Sequence, residues 1–174
     1  MDLTIDELLD YTDEERAKWG NWFSVHGDDA LTFALPGDVH PDVGALLLHC
    51  FWAELFYALW MKGETLDEDR AKKENESLIR DQASGIFAFG ARGRREMRSF
   101  TTSASGEDWD RVHEVEGHGI HIEGPARKLI AHILLHEIRH FAQLATVVHQ
   151  HGLAPPGDHD LLFSKSFGTL LRKV

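Results

Sequence analysis

His136 and His140 stand four apart in HILLHEIRHFAQL, residues 132–144. A helix turns about 100° per residue, so the two imidazoles return to one face a turn apart and can share one cation. Leu129, Ile133, Leu144 and Val147 continue that face at the spacing of a helix packed on a core, so both histidines are expected to point inward. A buried imidazole needs a partner for each ring nitrogen, which a divalent metal and an outer acceptor supply together. Two core histidines held by ordinary hydrogen bonds are the alternative. His49 adds a third imidazole. It lies in VGALLLHCFWAELFYALWM, residues 43–61, on a face with Leu46, Trp52, Ala53 and Phe56. Cys50 is turned about 100° away and reads as a packing residue. Glu54 lies off the His49 line and fits either an acceptor behind a ligand or a paired surface carboxylate.

Neutral imidazole suits zinc, nickel, iron or copper. Three such ligands with a position left open make a catalytic rather than a closed structural site. A cation there lowers the pKa of water or holds a thiolate for attack. The string HEIRH also matches H-E-x-x-H, in which Glu137 would be the general base of a zinc protease. The extended protease pattern needs a glycine at 143 and a histidine at 146, where this chain has Gln143 and Thr146. No glutamate follows Glu137 to act as a third ligand, which leaves Asp158 or Asp160 for that role.

These residues require long helices to hold them. Thr4 and Glu7 have the spacing of a capping box, and Leu8, Leu9, Tyr11, Trp19, Trp22 and Phe23 supply the apolar positions of a first helix ending near Gly27. A break at Tyr11, Thr12 and Asp13 is allowed for. The segment DDALTFALPGDVHPDVG is a connection with one short extra turn. Residues 43–61 are apolar on nearly every side and stop at Lys62-Gly63; His49 and Glu54 argue for a buried bundle helix rather than a membrane span. After a densely charged stretch, a third helix is expected from about Glu74 to about Phe100, with Ile79, Ile86, Met97 and Phe100 inward and Gly85, Gly90 and Gly93 weakening it. Arg92, Arg94, Arg95 and Arg98 read as a solvated helix end, or as a cradle for a substrate carboxylate. RVHEVEGHGIHIE, residues 111–123, alternates as a short β-hairpin carrying His113, His118 and His121, either solvated or a separate metal site. Gly124-Pro125 then opens the last long helix, and Gly152 with Pro155-Pro156-Gly157 closes it. The tail DHDLLFSKSFGTLLRKV is expected to pack across the bundle end.

With 174 residues and no low-complexity break, residues 1–174 read as a single domain with a sizeable core. One cysteine excludes an internal disulfide and suits a reducing compartment, and the acidic N-terminus is unlike a signal peptide, so a cytoplasmic location is expected. The net charge of −11 opposes binding to nucleic acid or to acidic membrane surfaces.

HEIRHFAQL followed by HQHGLAPPGDHDLLF resembles the last helix and exit loop of the DinB-like (DinB/YfiT) superfamily, and HCFWAELFYALWMKG resembles its second helix. The resemblance runs along nearly the whole chain, strongest at residues 43–63 and 125–163 and weakest at 64–110. It implies an all-α fold, a four-helix bundle in up-down-down-up order, here with the short β-hairpin before the last long helix, and commonly a homodimer. It also implies a divalent metal on His49, His136 and His140, zinc or nickel first and iron or manganese next. Glu137 is then no protease base, since it turns off the metal face. His132, about 40° off the ligand line, Glu54 and Glu137 are the candidates for contacts behind the ligands. Branches of the superfamily include thiol-dependent transferases and isomerases. The resemblance therefore implies a thiol S-transferase or hydrolase acting on a small molecule, with a low-molecular-weight thiol as co-substrate and no assigned catalytic side chain. A non-catalytic, metal-stabilised interaction module is the competing expectation, and the zinc protease a third.

Overall fold

A computed structural model describes residues 4–64, 68–117, 120–157 and 164–166. It is mostly helical, with one small two-stranded antiparallel sheet among the described residues.

Helix α1, Ile5–His26, starts at the expected capping box: Thr4 Oγ1 accepts from the Glu7 backbone N–H at 3.2 Å and Glu7 Oε2 accepts from the Thr4 N–H at 2.9 Å. It runs without a break through Tyr11, Thr12 and Asp13. The Thr12 hydroxyl donates back to the carbonyls of Leu8 and Leu9, at 3.0 and 3.1 Å, so the helix absorbs a polar group that elsewhere favours a turn. A 3₁₀ turn, Asp28–Thr32, follows. The next loop closes on itself, with Leu35 N–H donating to Pro41 O at 3.1 Å and Val43 N–H to Phe33 O at 3.0 Å.

Helix α2, Val43–Met61, has the expected bounds, with Asp42 Oδ1 capping it through Ala45 N–H at 2.8 Å. It is the one helix among the described residues long and apolar enough to cross a membrane, and it lies packed against α4 (Ala83–Ser103) and α6 (Ala126–Gln150). Helix α1 also packs on α4 and α6.

The single third helix expected from Glu74 to Phe100 is instead two, α3, Glu68–Ser77, and α4. The break has a distant cause: Asp28 Oδ1 accepts from Ala83 N–H at 2.8 Å and starts α4 there. Gly85 then lets the turn fold close, since a Cβ on it would meet Ile79 Cβ at 2.6 Å. Ile79, expected inside, is 52% exposed, whereas Ile86, Met97 and Phe100 are buried as expected.

A short capped helix not foreseen from the sequence, α5, Gly106–Asp110, leads into strands β1, Val112–Gly117, and β2, Ile120–Pro125. They pair antiparallel from Val112↔Pro125 to Gly117↔Ile120, the expected hairpin. Helix α6 ends at Gln150, and the chain turns away through Gly152, whose φ is +78°. Most of the expected tail packing, and His118 of the hairpin, lie outside the described residues.

The apolar core falls into two clusters. One gathers Trp19, Phe23, Leu46, Phe51, Ile86, Phe141 and Leu144; the other gathers Leu9, Ala58, Met97, Ile130, Ile133 and Leu134. Along α1, α4 and α6 the division falls at a buried charged residue, Arg16, Arg94 and Glu137; on α2 the buried Glu54 pairs with both arginines, although Leu55 and Leu59 of the first cluster lie beyond it. A layer of ion pairs therefore crosses the interior at mid-height.

Candidate metal centre

Because α2 and α6 pack together, His49 meets the pair on α6. His136 Nε2 lies 3.2 Å from His49 Nε2 and 2.9 Å from His140 Nε2. One ring nitrogen from each residue falls within 4.8 Å of the other two. Four-coordinate zinc with Zn–N bonds of about 2.0–2.1 Å sets its ligand nitrogens about 3.3 Å apart, close to the two spacings found here.

The protonation state suits a cation as well. Burial, then the neighbouring His40 and His140, pushes His49 down to about 4. Burial, then His140 and His49, pushes His136 down to about 3. His140 is also lowered, chiefly by burial, against the opposing pull of Gln143. All three rings are therefore neutral near pH 7 and carry lone pairs. Without a cation the cluster is poorly satisfied, because His136 Nε2 lies against the Nε2 atoms of both His49 and His140. The residues fit a divalent metal.

The groups behind the ligands differ from those expected. Glu54 and Glu137 make no hydrogen bond to the histidines; both are spent on the buried arginines Arg16 and Arg94. Arg16 Nη2 donates to Glu54 Oε2 at 2.5 Å and to Glu137 Oε2 at 3.0 Å, and its Nε reaches Glu137 Oε1. Arg94 Nε donates to Glu54 Oε1 at 2.6 Å and its Nη2 to Glu137 Oε2 at 2.7 Å. Arg16 Nη1 also donates to Gly90 O at 2.9 Å, and Arg94 Nη1 to Leu9 O at 3.0 Å and Thr12 Oγ1 at 2.7 Å. Glu54 is thus no surface carboxylate. Glu137, with both oxygens taken and 1% exposed, has no access to a substrate as a protease base. His132 is exposed and touches the cluster only by ring contact, 5.7 Å from His136 between centroids.

The contacts that do stand behind the site come from Gln143, Asp38 and His40. Gln143 Oε1 is 2.5 Å from His140 Nδ1, and Gln143 Nε2 donates to Asp38 Oδ2 at 3.1 Å. The His40 ring lies 4.4 Å from that of His49, between centroids. Gln143 had a sequence signal, since it stands three residues after His140 on the same helix face. Asp38 and His40 had none, because a loop brings them in.

The remaining sequence candidates resolve differently. Cys50 is buried, and burial pushes its thiol well above its ordinary range, so it is a packing residue. The arginine cluster lies within α4 and is solvated only in part: Arg95 is exposed, but Arg94 joins the buried layer, Arg92 pairs with Glu74, and Arg98 Nη2 pairs with Asp13 at 2.5 Å and Asp10 at 2.8 Å. His113 packs on Trp60, 5.8 Å between centroids, and His121 is exposed.

Among curated proteins, none matches this chain. The fold is similar to that of a DinB-like protein, YjoA, from Bacillus subtilis, whose crystal structure aligns with a TM-score of 0.57 at 15% identity, covering 90% of this chain and 96% of that one. The DinB family model matches residues 1–167, a span that takes in every element described above and all three histidines. The chain belongs to the DinB family.

Proposed function

We propose that the chain is a metal-dependent enzyme acting on a small molecule, a thiol S-transferase or a hydrolase, with a divalent metal on His49, His136 and His140. Zinc or nickel is the first choice, with iron or manganese next. The observation that carries the reading is the convergence of three neutral Nε2 atoms at 3.2 and 2.9 Å on one side of the buried ion layer. A divalent cation there supplies Lewis acidity, which makes a small thiol or water nucleophilic near neutral pH. The chain's own residues do the rest. His49 and His136 are only partly buried, so substrate approaches from their side, while Gln143 holds the His140 ring at Nδ1. Glu137 moves no proton, since it belongs to the ion layer. The same reading takes the four long helices as a bundle in up-down-down-up order, and the protein as a cytoplasmic homodimer without nucleic-acid or membrane partners.

The test is to strip the protein of metal, reload it with zinc or nickel, and follow consumption of glutathione or cysteine with an aromatic halide, alongside hydrolysis of small esters and amides. The expected result is a metal-dependent rate that His140→Ala abolishes. Metal-loaded protein that accelerates none of these reactions would favour the non-catalytic, metal-stabilised module.

A further inference from the structure

We propose that Asp38, acting through Gln143, fixes which ring nitrogen His140 presents to the metal centre. The two ends of a glutamine amide have the same shape and opposite chemistry, so the network around them decides its orientation. Asp38 Oδ2 lies 3.1 Å from one end of the Gln143 amide. A carboxylate only accepts, so that end is the NH₂. Asp38 is itself held in place by the His40 backbone N–H, which donates to its other oxygen at 2.9 Å. The carbonyl end of Gln143 therefore faces His140 Nδ1, at 2.5 Å. A carbonyl also only accepts, so Nδ1 carries the ring hydrogen. The lone pair is left on Nε2, the atom 2.9 Å from His136 Nε2.

Asp38 and Gln143 are thus positioning residues, and they link the loop before α2 to a ligand on α6. His136 lacks any such device, since its Nδ1 is buried without a partner among the described residues. The value of the relay for metal affinity rests on the metal-binding reading above. Its effect on the His140 tautomer does not.

Nitrogen-15 NMR of the imidazoles in native, metal-stripped protein tests the relay directly. The expected result is His140 as the Nδ1–H tautomer, lost in Gln143→Leu. Zinc affinity, from competition with a chromophoric chelator, is expected to fall about 10–100-fold in Gln143→Leu, the usual effect of removing a partner behind a ligand. Asp38→Asn should lower it less. The double variant Asp38→Asn/Gln143→Glu reverses the polarity of the outer bond while keeping an acceptor on His140, and is expected to restore both tautomer and affinity. A role in loop packing alone would change the melting temperature of the stripped protein and leave tautomer and affinity where they were. His140 found as the Nε2–H tautomer in the native protein would overturn the proposal without any variant. Native protein that binds no zinc, with His140 still the Nδ1–H tautomer, would instead refute the metal reading and leave the relay standing.

Discussion

Replacing Glu137 by glutamine separates the ion layer from the protease-like role that HEIRH suggests. Glu137 accepts from Arg16 Nε, from Arg16 Nη2 at 3.0 Å and from Arg94 Nη2 at 2.7 Å. The two arginines are 8% and 5% exposed, so neither guanidinium can turn to water when the carboxylate is gone. Glu54 and the more exposed Asp13 then remain as their charged partners, and an amide N–H faces at least one guanidinium N–H. Removing one partner from a buried ion pair costs about 3–5 kcal/mol. At about 2–4 °C per kcal/mol for a chain of this size, the melting temperature should drop by about 6–20 °C. The assay is urea and thermal unfolding in excess chelator, so that metal binding does not contribute. Glu96→Gln, which breaks the partly exposed Lys62–Glu96 pair, is the control and should cost about 0–1 kcal/mol. If Glu137→Gln cost no more than this control, while abolishing a metal-dependent hydrolysis, the layer would be incidental and Glu137 a catalytic group.

Gly90→Ala should destabilise by about 1–3 kcal/mol in urea unfolding, although alanine favours a helix by about 1 kcal/mol, because the new Cβ would meet the buried Phe51 ring at 2.7 Å. Stability of the metal-free protein should fall with acid. Unfolded imidazoles take up protons near 6.5, whereas folded His49 and His136 resist until about 4 and about 3, so the unfolded state binds more protons in that window. Melting temperatures measured stepwise from pH 7 to pH 3 should decline across it, and the decline should shrink in His49→Ala and His136→Ala. Cys50 should not react with a disulfide reagent at pH 8 in the native protein and should react fully in urea, as burial and its raised pKa require; rapid labelling of the native chain would contradict that.

The three histidines were readable in the sequence because each sits on a regular apolar stripe, and a helix turns that regularity into a direction. Helix α2 was bounded correctly for the same reason: its cap at Asp42 and its stop at Lys62-Gly63 are local. What escaped was fixed from far away. The break before α4 depends on Asp28, 55 residues from the Ala83 N–H it caps. Arg16 and Glu137 meet across 121 residues, and Arg94 and Glu54 across 40, so a linear reading gives no sign that they pair, and Glu54 and Glu137 stand there as candidates behind the ligands. Gly90 and Gly93 read as weak points of a helix, yet they are where α4 comes closest to Phe51 and Leu55 of α2. The contacts behind His140 split along the same line. Gln143 shares its helix and could have been found, whereas Asp38 and His40 arrive on a loop whose path no periodicity records.

Elemental analysis of protein purified without a histidine tag, repeated on His49→Ala and His136→Ala, tests the metal centre most directly. Close to one equivalent of zinc, nickel, iron or manganese per chain, lost in both variants while each stays folded, is the expected result. Native protein that carries no metal and takes up none of these ions on incubation would contradict it, and would reduce His49, His136 and His140 to packing residues.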